Sequence, residues 1–181
     1  LLADEKDPEM RKRCFELLEQ SARISADKLK FFRLAFGAAG GFGESVAVEE
    51  AKQLVNALAA NNARVTVNWA LGVASLPKPA IKVLLNFALL GMEALVRGGT
   101  LDIGAENRGG ASEIVVRAAG PKIAFDQDIG KALEGDLGAG GLTSRNAAAF
   151  MLYHIAARQG GGLQFVLSED ALVLGAVLPE G

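Results

Sequence analysis

Few residues in this chain could carry out covalent or metal chemistry. Its 181 residues include one histidine, His154, and one cysteine, Cys14. A single residue of each type excludes an internal disulfide framework, a zinc site built from several cysteines, and a metal site built from several histidines. Cys14 lies among apolar residues at helical spacing, so we expect a thiol that packs against another helix rather than a reactive nucleophile.

Four acidic residues remain as candidates for general acid–base chemistry: Glu106, Glu113, Asp126 and Asp128. A catalytic carboxyl group usually lies in surroundings that shift its pKa, and no apolar pocket pattern lies beside these four residues. We therefore expect them to be solvated surface acids.

A glycine-rich stretch, 37–43, could suggest a loop that binds phosphate. It lacks the lysine of a P-loop, and it follows a predicted helix rather than a strand. We interpret it as a linker between two domains, 1–37 and 44–181.

The balance of charges excludes several classes of partner. The chain has 19 Lys and Arg against 21 Asp and Glu, a net charge of −2, and an isoelectric point near 5.5. This composition gives no global attraction to nucleic acids or to anionic membranes. The longest apolar stretch, 83–96, is too short to span a bilayer and contains Asn86 and Glu93. No signal peptide pattern is visible, so a globular cytoplasmic protein is expected.

A long helix is expected near the start of the chain. Asp7 is suited to the N-cap, and Pro8 to the first helical position. No Gly or Pro follows until Gly37, so the helix would cover about 29 residues, or roughly 44 Å at 1.5 Å per residue. Its apolar residues form a wide stripe that needs helical partners along its whole length, from upstream sequence or a second copy. The interface residues of this stripe are Met10, Cys14, Leu17, Leu18, Ser21, Ile24, Leu29 and Phe32.

The remaining chain alternates between helical and strand patterns. Helices are predicted at 48–61, 77–97, 129–133 and 143–159, and strands at 64–71, 100–106, 112–118, 163–168 and 171–178. The first of these strands carries Trp69, which we expect in the core. The order of elements predicts an α/β sandwich with helices on one face of a mixed sheet.

This order, behind a long helix, resembles the catalytic core of sensor histidine kinases. In that family a dimerising two-helix hairpin (DHp) precedes an ATP-binding domain of the Bergerat type. The stretch 83–94 resembles the N-box helix of that domain, with Asn86 at the position of its first asparagine. The stretch 157–163 and the hairpin that ends at 177–179 resemble the family's last helix and last two strands.

Departures from the kinase pattern fall on the nucleotide ligands. Active members carry a second asparagine, which coordinates the magnesium bound to ATP, at the position of Leu90. An aliphatic side chain cannot ligate a hard cation, which needs oxygen donors. The stretch 118–122 stands where active members have an Asp-x-Gly-x-Gly element, and it contains no acid. The resemblance therefore implies an α+β fold: a long DHp-like bundle helix followed by a degenerate Bergerat ATPase-like sandwich.

One family combines such a core with a lost nucleotide site. The stretches 7–37, 76–99 and 142–159 resemble the ChpT-type histidine phosphotransferases of bacterial phosphorelays. The resemblance implies a homodimer that moves phosphoryl groups between aspartates of response-regulator receiver domains, without ATP and with no cofactor of its own. The receiver would supply Mg²⁺. Receivers have an acidic pocket, for which we consider Arg11, Lys12 and Arg33 as docking residues.

The acceptor of such a family lies in a His-Asp pair on the first bundle helix. Ile155 follows His154, so we interpret His154 as a structural residue and expect the acceptor upstream of Leu1, with Leu1-Leu2 as the end of its helix. The catalytic residue would then lie outside this chain. Two alternatives stay open: an ATP-binding histidine kinase with an atypical nucleotide site, and a dimeric signalling scaffold without enzymatic activity.

Overall fold

The long helix is present at the predicted position in the computed structural model, which describes residues 7–37, 44–62 and 64–180. Helix α1 covers Pro8–Phe36, and Oδ1 of its N-cap Asp7 accepts a hydrogen bond from the Glu9 amide at 3.0 Å. At its end the Gly37 amide donates to the Arg33 carbonyl, with Gly37 in an extended conformation. A Cβ at Gly37 would lie 2.5 Å from that carbonyl oxygen, which explains why glycine ends the helix.

The elements after residue 44 follow the predicted order, with two additions. They are β1 (Ser45–Ala47), α2 (Val48–Ala59), β2 (Val65–Leu71), β3 (Ser75–Pro77), α3 (Lys78–Ala94), β4 (Gly99–Arg108), β5 (Ala111–Ala119), α4 (Gln127–Glu134), α5 (Ala147–Arg158), β6 (Gly162–Leu167) and β7 (Ala171–Pro179). The short strands β1 and β3 were not predicted. They pair with each other, antiparallel, outside the main sheet.

Two helix boundaries differ from the sequence prediction by three residues or more. Helix α3 ends at Ala94 rather than at residue 97, because Leu95 leaves the helical conformation. Helix α5 begins at Ala147 rather than at Thr143, because Asn146 holds the residues before it in a turn. The Asn146 side chain accepts from the Thr143 amide at 2.8 Å and donates to the Gly141 carbonyl at 2.9 Å.

The main sheet is mixed and carries its helices on one face, as the α/β sandwich prediction requires. Its strand order is β2-β4-β5-β7-β6, with β2 and β4 parallel and the other neighbours antiparallel. Alternate residues of β4 are buried, including Leu101 and Ile103, and they face the apolar helix α3. Trp69 on the edge strand β2 is half-buried against the core, and its indole N–H donates to Asn56 Oδ1 of α2 at 3.0 Å.

The last turns of α1 share the core of the sandwich. Phe31, Leu34 and Ala35 are buried there, while the rest of α1 extends away with little coverage. Most of the predicted linker, and the expected helix end at Leu1-Leu2, lie outside the described residues. Within those residues, no helix combines the length and apolarity needed to cross a bilayer.

Candidate functional site

A cleft lies where the resemblance places a nucleotide. It is about 610 Å³ in volume and lies between the second half of α3, the segment 122–126 and the start of α4. Its wall is mostly apolar, with Leu90, Phe125 and Ile129 among the lining side chains. Leu90 therefore stands at the cleft without an oxygen to offer a metal.

The charges of the cleft do not suit a triphosphate. Glu93 and Asp126 line it against a single cation, Lys122, so its net charge is negative. Asp126 is also the N-cap of α4, and its Oδ1 accepts a hydrogen bond from the Asp128 amide at 2.9 Å. Nucleoside triphosphates are bound by cations and backbone amides, whereas the charged side chains that line this cleft are two acids and one cation.

Burial in this cleft raises the pKa of the Glu93 carboxyl group above its ordinary value of 4.5. A carboxyl group whose folded-state pKa is raised binds its proton more tightly in the folded protein. The ionised form consequently lowers stability, and this loss develops as the pH rises from 4.5 through the folded-state pKa.

We therefore expect Glu93→Gln to melt at a slightly higher temperature than the wild type at pH 7. The difference should close as the pH falls below 4.5, where Glu93 is protonated in both states. Thermal melts of the two proteins between pH 4 and pH 7.5 measure it. A difference that is the same at every pH would contradict the argument.

Asn86, at the position of the first N-box asparagine by resemblance, makes its hydrogen bonds away from the cleft. Its side chain is buried, and Nδ2 donates to the Ala35 carbonyl at 3.1 Å and to the Lys82 carbonyl at 2.8 Å. The asparagine at the N-box position thus contacts the end of α1.

The predicted interface stripe of α1 is largely exposed in the single chain. Cys14 and Ile24 are half-buried. The other six residues are exposed: Met10, Leu17, Leu18, Ser21, Leu29 and Phe32. Phe32 stacks on Phe36, with ring centroids 5.9 Å apart. Exposed leucine, methionine and phenylalanine side chains thus form an apolar row along α1, a feature typical of interaction surfaces.

The end of α1 has two different apolar faces. At about 100° per residue, Phe31 and Leu34 lie about 140–160° from Leu29 around the helix. The first two are buried in the sandwich core, and Leu29 is 71% exposed. The sandwich therefore covers only one side of the helix.

The three candidate docking residues are not brought together. Arg11 and Lys12 lie in the first turns of α1, and Arg33 lies in its last turn, about 32 Å further along at 1.5 Å per residue. Arg33 lines a cleft of about 370 Å³ between α1 and α2, together with Lys30, Asp27 and Glu50. One small acidic pocket could not contact both ends of the helix.

The remaining chemical candidates are scattered over the surface. His154 is exposed on α5, and its ring lies edge-on to Phe150, with centroids 4.4 Å apart. Glu106 and Glu113 face each other across β4 and β5. Asp128 pairs with Lys131 at 3.3 Å. In the described part of the chain, no group of three or more His, Cys, Asp or Glu residues could hold a metal ion.

The fold and the cleft together define a histidine-kinase-like core. The family model of the histidine phosphotransferase C-terminal domain matches residues 48–171, and the chain belongs to this family. It is 33% identical to the protein phosphotransferase ChpT of Brucella abortus (strain 2308) over 104 residues, and this matched region is 58% of the present chain. The chain spans about half (49%) of the length of that relative.

Solved structures confirm the fold class. A bacterial phosphotransferase matches with a TM-score of 0.77 and 22% identity, over 91% of this chain and 78% of that one. The histidine kinase AdeS of Acinetobacter baumannii matches with a TM-score of 0.53 and 14% identity, over 98% and 87%. The catalytic domain of the histidine kinase ThkA matches with a TM-score of 0.55 and 17% identity, over 75% and 95%.

Proposed function

We propose that this chain belongs to a phosphorelay protein that moves phosphoryl groups between receiver domains without using ATP. The observation that carries the proposal is the cleft beside α3. Leu90 lines the cleft at the position where active kinases, by resemblance, carry a magnesium ligand, and Glu93 and Asp126 give the cleft a negative charge. Family membership supports the same function, because the matching relative is a phosphotransferase.

The transfer needs an acceptor histidine, which we place upstream of Leu1. Its imidazole nitrogen attacks the phosphorus of a receiver's aspartyl phosphate, so a P–N bond forms as the P–O bond to aspartate breaks. A second receiver aspartate then attacks the phosphohistidine, which restores the imidazole. Both steps depend mainly on holding the two partners in line, with Mg²⁺ supplied by the receiver.

The exposed stripe of α1 supports the proposal that the protein is a homodimer. A parallel or antiparallel bundle of helices from two copies would cover Leu17, Leu18 and Leu29, which the sandwich leaves in solvent. The same bundle would present acceptor histidines to receivers that dock on its outer surface. The basic residues at the two ends of α1 then belong to separate contacts.

Calorimetric titration of Mg²⁺-ATP into the chain tests the lost nucleotide site. We expect no heat of binding and no rise in melting temperature at 1 mM nucleotide (about 1,000-fold above a micromolar dissociation constant, which would stabilise the protein by about 4 kcal/mol). Micromolar binding would favour the alternative, an ATP-dependent kinase with an atypical site.

Phosphoryl transfer from a labelled receiver to the full-length gene product tests the relay. The label should appear on the protein and then move to a second receiver, and His154→Ala should transfer at nearly the wild-type rate. A folded His154→Ala protein that accepts no label would make the exposed His154 the acceptor. Absence of transfer in the wild type, with receivers bound, would favour a scaffold.

A further inference from the structure

The last turn of a helix leaves carbonyl groups without partners inside the helix. In α1 one of these groups is the Ala35 carbonyl, and Ala35 is fully buried against the sandwich. Water cannot satisfy a carbonyl oxygen in such a place, and a buried group without a partner costs about 1–3 kcal/mol. A donor from another element must therefore reach it.

That donor is Asn86, which comes from the middle of α3. Its side chain is only 1% exposed, and one hydrogen of its amide goes to Ala35 while the other goes to Lys82 of its own helix. The contact connects residues 51 positions apart in the sequence. Because the second bond fixes the amide plane on α3, the first bond fixes where the end of α1 lies.

The surroundings indicate that this asparagine serves to donate hydrogen bonds rather than to pack. The neighbouring positions of α3 are apolar and fully buried, including Val83, Leu85 and Phe87. The Oδ1 atom of Asn86 is itself buried without a partner. An apolar residue would avoid that cost, so the donated hydrogen bonds are what the position requires.

We propose that Asn86 is a positioning residue that holds the ATPase-like sandwich in one orientation on α1. Asn86, which by resemblance lies at an N-box position, then joins the long helix to the sandwich. We call its hydrogen bond to Ala35 the latch. Apolar packing of Phe31 and Leu34 holds α1 against the sandwich, and the directional hydrogen bond to Ala35 fixes the angle between them. The latch does not depend on phosphoryl transfer, so its test is independent of the proposed function.

Asn86→Asp is the sharpest variant, because it keeps the side-chain shape and changes a donor into an acceptor. Its carboxylate would face the Ala35 carbonyl and repel it. Asn146→Asp is the matched control. Asn146 is equally buried, and its amide also donates to a backbone carbonyl, that of Gly141, in the loop before α5.

Residual dipolar couplings of backbone amides in the whole chain measure the orientation. In the wild type and in Asn146→Asp, one alignment tensor should fit α1, β4 and β5 together. In Asn86→Asp, α1 should need its own tensor, with a smaller magnitude. A single tensor in folded Asn86→Asp, or the same loss in Asn146→Asp, would overturn the latch.

Asn86→Ala covers the case in which the aspartate variant does not fold, because it removes the donor without adding a charge. Hydrogen exchange read by mass spectrometry should then accelerate at least tenfold in 31–36 relative to 147–158. Equal protection of the two segments in Asn86→Ala and in the wild type would also overturn the latch.

Discussion

Leu29→Glu is expected to turn the proposed dimer of the full-length gene product into a monomer without unfolding it. Leu29 is 71% exposed in the single chain, so a charged side chain there costs the fold little. In the proposed dimer the same leucine is covered by a helix of the partner. Burial of one leucine contributes about 1.5–3 kcal/mol, and a two-fold axis repeats the loss. The dissociation constant should therefore rise by at least about 100-fold, since each 1.4 kcal/mol is tenfold.

Light scattering at micromolar concentration distinguishes the two states, because the apparent mass should fall by half. Gln20→Glu is the control. It places the same charge at an exposed position of the same helix, about 180° from Leu29. Its mass should stay that of a dimer. A wild-type monomer, or a Leu29→Glu protein that remains dimeric, would contradict the proposed interface.

The sequence predicted α1 well because local rules decide both of its ends. Asp7 caps the start with a hydrogen bond to Glu9, and Gly37 is needed at the end by the close approach to Arg33. The order of the sheet elements was equally readable, since alternation in β4 and β5 and the apolar pattern of α3 reflect one buried face each. The spacing of apolar residues along a helix or strand reflects which of its faces is buried, and each of these elements has one buried face.

The features that could not be predicted from the sequence depend on tertiary contacts. Strands β1 and β3 have three residues each, too few to show alternation, and they form only because they meet each other. The role of Asn86 depends on a carbonyl 51 residues away, and no local pattern predicts that contact. The resemblance identified Asn86 as an N-box position but did not indicate its contact with α1.

The cleft beside α3 combines a histidine-kinase-like fold with an aliphatic side chain, that of Leu90, in its wall. Leu90 is 8% exposed and lines the cleft, so its side chain adds apolar packing there. An asparagine at this position would offer an oxygen to a metal ion, whereas a leucine offers none. The acids Glu93 and Asp126 add negative charge to the same cleft, which agrees with the proposal that no triphosphate binds there.

Gly91→Val is expected to destabilise the chain by about 3 kcal/mol, because α3 touches the sheet at this glycine. A Cβ at Gly91 would lie 2.6 Å from Cδ1 of Leu101 and 3.3 Å from Cγ1 of Val116, and both of those side chains are fully buried. They have no free space to move into, so the helix must lift off the sheet or the core must distort. At about 2–4 °C per kcal/mol, the melting temperature should fall by roughly 6–12 °C.

Gly162→Val provides the matched control for this close approach. Gly162 begins β6 and is exposed, and a Cβ attached to it would meet no other atom within 4 Å. Valine suits a strand, so its effect on the free energy of unfolding should stay within about 0.5 kcal/mol. Denaturant titration of both variants measures the contrast. If Gly91→Val unfolded at the same denaturant concentration as Gly162→Val, α3 could not lie against β4 and β5 as closely as Gly91 indicates, and the cleft that α3 borders would have a different shape.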